Sequence, residues 1–155
     1  MTATVKILTS VHGRRLGLSA SGKLVVNGKT ALAADDAGVV VKTQGTPGAL
    51  NATGTLTAAL VATGIVTSTA AAAVVATVDT GTAMDTALAA EVAIGDGFEW
   101  SAINTHATNA FTVTAATGHT LVGSGVVDTD AVGGGSGRFF SKRTAANTWV
   151  TYRLG

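Results

Sequence analysis

Residues 138–154 read RFFSKRTAANTWVTYRL, two runs of alternating character joined by Ala145-Ala146-Asn147. Successive side chains of a β-strand point to opposite faces. A strand over Thr148–Leu154 therefore sets Trp149, Thr151 and Arg153 on one face and Val150, Tyr152 and Leu154 on the other. Arg138–Thr144 reads as its partner strand. Both faces of the last strand are partly apolar, which predicts that one turns inward and the other meets a partner. Working back along the chain, Phe98–Asn104 alternates Phe98, Trp100 and Ala102 against Glu99, Ser101 and Ile103. Phe111–Ala115, His119–Val122 and Val126–Val127 follow, separated by Gly and Asn, and a GGGSG turn at 133–137 leads into Arg138. Strands at this spacing predict a mainly β fold, an antiparallel β-sandwich or barrel-like domain over 55–155.

Ahead of these strands, Thr82-Ala-Met-Asp85 resembles a capping box, a hydroxyl followed three residues later by an acid. It predicts one short helix over about residues 83–91, with Met84, Leu88 and Val92 on one face. Thr69–Val78 reads as a strand and Leu56–Thr63 as either a short helix or a buried strand. Gly45, Pro47, Gly48, Asn51 and Gly54 mark 44–54 as a linker. Residues 1–43 read as an extended N-terminal arm or small β subdomain. There, Asn27-Gly28 between two short runs is a hairpin signal, because both residue types tolerate positive φ.

Charge divides the chain in a similar way. The total is +1, yet no Lys or Arg occurs between Lys42 and Arg138, while acidic residues are spread through that middle. The basic residues sit in the two flanks. All the Trp, Tyr and Phe residues lie from Phe98 onward, which places the main core in 98–154. The earlier segments, built on Val, Leu, Ile and Ala, then need that half or another subunit to cover them. With no cysteine there are no disulfides and no thiolate metal sites. The opening MTATVKILTSVHG lacks the apolar run of a secretory signal. The uncharged stretch Ala58–Val78 is long enough to span a bilayer, but it is rich in Ala and Thr and has no basic flank, so burial is the expectation.

The candidate chemistry is sparse. His12, His106 and His119 show no metal-ligand spacing. Asp128-Thr-Asp130 is a fragment of a calcium loop without the remaining ligands. The glycines at 133–137 lack the Lys and the helix of a phosphate-binding loop. Ser124 and Ser136 fit no nucleophile motif, and Asp35-Asp36 or Asp96 with Glu99 read as solvated carboxylates. Asn51-Ala-Thr53 is a formal glycosylation acceptor. Arg138, Lys142 and Arg143, interleaved with Phe139 and Phe140, have the residue types of a single-strand nucleic-acid groove, but an amphipathic strand with its basic residues at exposed positions is the preferred reading. No catalytic constellation emerges, and the expectation is a protein that is not an enzyme and needs no cofactor or metal.

The runs Gly95-Asp96-Gly97-Phe98 and Trp100-Ser101-Ala102-Ile103-Asn104, with the ending Tyr152-Arg153-Leu154, resemble small structural proteins of tailed-phage virions over about residues 55–155. The resemblance implies a capsid decoration, or head cement, protein. It would be made in the host cytoplasm and placed on the capsid exterior, with the major capsid protein and its own copies in a homotrimer as partners, and with no direct nucleic-acid or membrane contact. In such a protein the basic residues Arg14, Arg15, Lys23, Lys29 and Lys42 would face an acidic capsid surface, and the short N-terminal strands would add to a capsid sheet edge. The alternative is a receptor- or glycan-binding module of a head fibre or tail spike, with Trp149 or Tyr152 stacked on sugar.

Overall fold

The computed structural model describes residues 44–129 and 135–155 in full, and the backbone of 8–9, 15–18, 24–26, 29–34 and 40–41. The chain divides into two compact units, Met1–Gln44 and Gly45–Gly155.

In the first unit, β1 (Leu8–Thr9), β2 (Arg15–Leu18), β3 (Leu24–Val26), β4 (Lys29–Ala34) and β5 (Val40–Val41) pair in sequence order. Every pairing is antiparallel. Val26 stands opposite Lys29, so two residues join β3 to β4; the Asn27-Gly28 turn itself lies outside the described residues.

Among the described residues, the second unit contains two mixed sheets and two short helices. Its strands are β6 (Gly48–Ala49), β7 (Gly54–Leu56), β8 (Ile65–Ser68), β9 (Val74–Val78), β10 (Gly97–Asn104), β11 (Phe111–Ala115), β12 (His119–Val122), β13 (Val126–Val127), β14 (Gly135–Ala145) and β15 (Thr148–Arg153). The helices are α1 (Ala58–Ala62) and α2 (Gly81–Leu88). One sheet runs β12-β15-β14-β10-β8-β6 and the other β13-β11-β9-β7.

The expected all-antiparallel meander needs correction. β14 pairs antiparallel with both β10 and β15, and β11 does so with β13. The pairs β8–β10, β9–β11, β12–β15, β6–β8 and β7–β9 are parallel. A parallel pair needs a crossover, whereas a turn suffices for an antiparallel one. Helix α1 lies between β7 and β8, and α2 between β9 and β10. The single expected helix is thus two. Residues 44–54, read as a linker, supply β6 and the start of β7.

Both helices start on a threonine. Thr57 Oγ1 accepts from the Leu60 N–H at 3.3 Å, and Thr80 Oγ1 from the Ala83 N–H at 3.2 Å. Each satisfies one of the N–H groups that a first turn leaves free. The cap of α2 is therefore Thr80, two residues before Thr82, and this frees Asp85 from a capping role. Gly81, the first residue of α2, is buried where a Cβ would run into the carbonyl oxygens of Asn147 and Gly118. A glycine here allows the helix to approach two turns of the large sheet closely.

One hydrophobic cluster joins both sheets and both helices. Val66, Trp100, Ala102, Phe139 and Trp149 come from the six-stranded sheet; Leu56, Val74, Ala76, Val78, Phe111, Val113 and Val127 come from the four-stranded one. Val61 of α1 and Met84 and Leu88 of α2 complete it, with Val92 packed at its margin, so the predicted apolar face of α2 is the buried one. The aromatic residues dominate as expected. Trp100 and Phe139 stack at 4.5 Å, and Phe98 meets Trp149 edge-on at 6.3 Å. No helix among the described residues is long and apolar enough to cross a membrane. The stretch Ala58–Val78 divides into α1, β8 and β9.

Candidate functional site

Alternation along β14 and β15 sorts the large sheet into an inner and an outer face. Phe139, Ser141, Trp149 and Thr151 are buried. Between them, Arg138, Phe140, Lys142, Val150 and Tyr152 point away from the core.

The inner face holds two polar clusters. In the first, the Asp85 carboxylate of α2 reaches the β14–β15 hairpin. Arg143 donates from Nε at 2.9 Å and from Nη2 at 2.6 Å, Trp149 Nε1 donates at 2.7 Å, and the Asn147 main-chain N–H donates at 2.8 Å. Arg143 also reaches the Val92 carbonyl at 3.2 Å. Burial pushes the Asp85 carboxyl upward, but the donations from Arg143, Asn147 and Trp149 outweigh it and hold it below its ordinary 3.8.

The second cluster is a buried chain of four side chains. Trp100 Nε1 donates to Ser141 Oγ at 2.9 Å, Ser141 Oγ lies 2.7 Å from Thr151 Oγ1, and Thr151 Oγ1 lies 2.7 Å from His119 Nε2. Among the described residues, His119 Nδ1 has no partner in full hydrogen-bond alignment. Burial holds its pKa below the ordinary 6.5, opposed by the carbonyl and carboxylate of Asp79.

The outer face carries an apolar row. Register sets Val122 beside Tyr152, Tyr152 beside Phe140, and Phe140 beside Glu99. Val122, Tyr152 and Leu154 are 46 %, 38 % and 49 % exposed. Arg138 and Glu99 pair across the neighbouring strands at 2.8 Å in open solvent, where such a pair adds little stability. The outer face of the small sheet carries a second rung, Val75, Thr112 and Val126, with Val75 and Val126 also exposed.

The structure redistributes several residues singled out in the sequence. Trp149 is fully buried, so it cannot stack on a sugar, while Tyr152 is open. Phe139 is buried against Trp100, and Arg143 is committed to Asp85, which dismantles the supposed nucleic-acid groove. Asp96 and Glu99 do not act together: Asp96 Oδ2 accepts from the Ala93 N–H, and Glu99 pairs with Arg138. Asn51 Oδ1 holds the Thr69 N–H at 2.9 Å. His106 Nδ1 accepts from the main chain of Thr108 and Asn109, both at 3.1 Å, and so shapes its own loop. Ser124 Oγ accepts from the Val126 N–H at 3.2 Å. No group of three His, Cys, Asp or Glu among the described residues can hold a metal ion. Asp130 and the first glycines of the 133–137 turn lie outside the described residues. So do the side chains of Arg15 and Lys29, on β2 and β4, and all of Arg14, Lys23 and Lys42.

Both polar clusters escaped the sequence reading. The one available signal for them was a hydroxyl at each inward position next to an aromatic, Ser141 after Phe139 and Thr151 after Trp149. Comparison with protein families, curated proteins and solved structures finds no match.

Proposed function

We propose that this chain is a structural protein of a tailed-phage virion, a decoration or cement protein on the capsid exterior. The two mixed sheets are taken as the layers of a sandwich around their common core, and residues 1–43 as an arm or small subdomain for docking. The observation that carries the reading is the outer apolar row Val122–Tyr152–Phe140, with Val122 and Tyr152 exposed and Phe140 half-buried, and the exposed Leu154 just beyond β15. Exposed apolar residues grouped in a row, unlike scattered ones, favour an interaction surface. In this reading the row packs against further copies in a homotrimer, and the basic first unit, with Arg14, Arg15, Lys23, Lys29 and Lys42, faces the major capsid protein. Meanwhile the polar side chains of the core hold the fold. A cement protein works by simultaneous contact with several neighbours and gains avidity from several copies acting together.

The test is co-sedimentation with undecorated capsids. The full chain is expected to pellet with particles and to raise their resistance to heat. Removal of residues 1–43 is expected to abolish pelleting while the near-ultraviolet signal of the tryptophans persists. A truncated chain that still decorates particles rules out the docking role of the first unit.

A further inference from the structure

His119 lies on β12, an edge strand of the six-stranded sheet, which among the described residues has β15 as its only neighbour in that sheet. The ring is 7 % exposed and terminates the chain that begins at Trp100. An indole N–H can only donate, so Ser141 Oγ accepts from it. The Ser141 hydroxyl then donates to Thr151 Oγ1, and the Thr151 hydroxyl donates to His119 Nε2. Every oxygen in the chain is then used, and the ring proton sits on Nδ1. This nitrogen has no aligned partner, and Asp79 acts on it from the end of β9.

A second proton on the ring reverses this arrangement. Nε2 becomes a donor, so Thr151 either accepts from both neighbours or turns its proton toward Ser141, where Trp100 already donates. In either arrangement one hydroxyl proton, of Thr151 or of Ser141, is left without an acceptor at a fully buried position, and a cation has entered the core. Among the other charged groups nearby, Asp85 on α2 and Arg143 on β14 are taken up with each other, which leaves Asp79 as the counter-charge acting on the ring. Asp79 is itself engaged, accepting from the Ala58 N–H at 3.3 Å and the Thr80 N–H at 3.2 Å.

We infer that His119 is an acid-responsive latch that holds the edge strand β12 on β15 while its ring is neutral and releases it when the ring takes a second proton. Release frees the edge of β15 and disturbs Val122, one end of the outer apolar row, so mild acid loosens the surface as well as the strand. A histidine suits this role because its charge changes within the mildly acidic range.

The test is hydrogen exchange on the full chain, followed by NMR. From about pH 7.5 to about pH 5.5, protection factors of the β12 amides are expected to fall, by up to about tenfold, the ceiling that one pH unit of linkage below 6.5 sets. Amides of β9 and β11 are expected to hold. A His119→Gln variant accepts the Thr151 proton without gaining charge, and it is expected to lose the pH dependence. If its β12 protection still falls with acid, the inference is wrong. Should the variant not fold, the wild-type ring decides by itself. A long-range proton–nitrogen spectrum is expected to show the Nδ1–H form at neutral pH, with β12 exchange rising as that ring titrates. An Nε2–H ring, or β12 protection unchanged through the titration, overturns the inference.

Discussion

The Asp85 cluster and the His119 chain lie on the inner face of the same two strands, β14 and β15, yet they are closed to different degrees. Around Asp85 four donors meet two carboxylate oxygens, and a negative charge is matched by a guanidinium. Around His119 the chain is one bond short and carries no charge. Closure determines how each responds to acid. Asp85 is held below its ordinary 3.8, so the stability it contributes is present above that value and is lost as pH falls through its lower folded value. His119 is held below its ordinary 6.5, so the stability tied to its neutral ring is complete above 6.5 and fades as pH falls from there through its own folded value. The same strands thus carry a strong clasp that yields only in strong acid and a weaker one that yields earlier.

The largest expected effect comes from opening the strong clasp. Asp85→Ala leaves Arg143 charged and largely buried and strands the Trp149 and Asn147 N–H groups. Breaking a buried pair from one side costs about 3–5 kcal/mol, to be read from the urea midpoint at neutral pH. Gly81→Ala comes next. Its methyl would meet the Asn147 and Gly118 carbonyl oxygens, forcing α2 away from the hairpin that Asp85 clasps, for about 1–3 kcal/mol. The pH dependence then separates the clusters: between neutrality and about pH 5, His119→Gln is expected to flatten the stability curve and Asp85→Asn to leave its slope unchanged. Glu99→Gln, which removes an ion pair in open solvent, is expected to move the midpoint by no more than about 0.5 kcal/mol.

How much of this was legible in the sequence follows from the range of each signal. Alternation is local, so Phe98–Asn104 and Thr148–Leu154 declared their strands and which residues share a face, and Met84 and Leu88 declared the buried side of α2. Strand direction and order depend on crossovers tens of residues apart. The parallel pairing of His119–Val122 with β15 therefore left no local trace, because a short alternating run looks the same in either direction. Asp85 was legible as an acid near a helix start and was misread for that reason. Its true partners, Arg143 and Trp149, lie far away in sequence, and only the fold brings them together. Residues 44–54 carry a similar ambiguity. Gly48 and Gly54 are turn-forming residues, yet each pairs in a short strand that a glycine can join. Trp149 shows that an aromatic residue in an amphipathic strand declares an apolar face but not which face stays open.

β15 has two unlike faces: inside, Trp149 and Thr151 are buried and hold the fold; outside, Tyr152, with Leu154 just beyond the strand, is exposed. The most direct measurement is light scattering of the purified full chain at micromolar concentration, for the wild type and for a double variant, Val122→Ser with Tyr152→Ser. The account predicts the mass of a trimer for the wild type. For the variant it predicts a folded monomer that keeps the near-ultraviolet signal of the buried tryptophans, since neither side chain belongs to the core. A wild-type monomer, or a variant that remains trimeric, would contradict it.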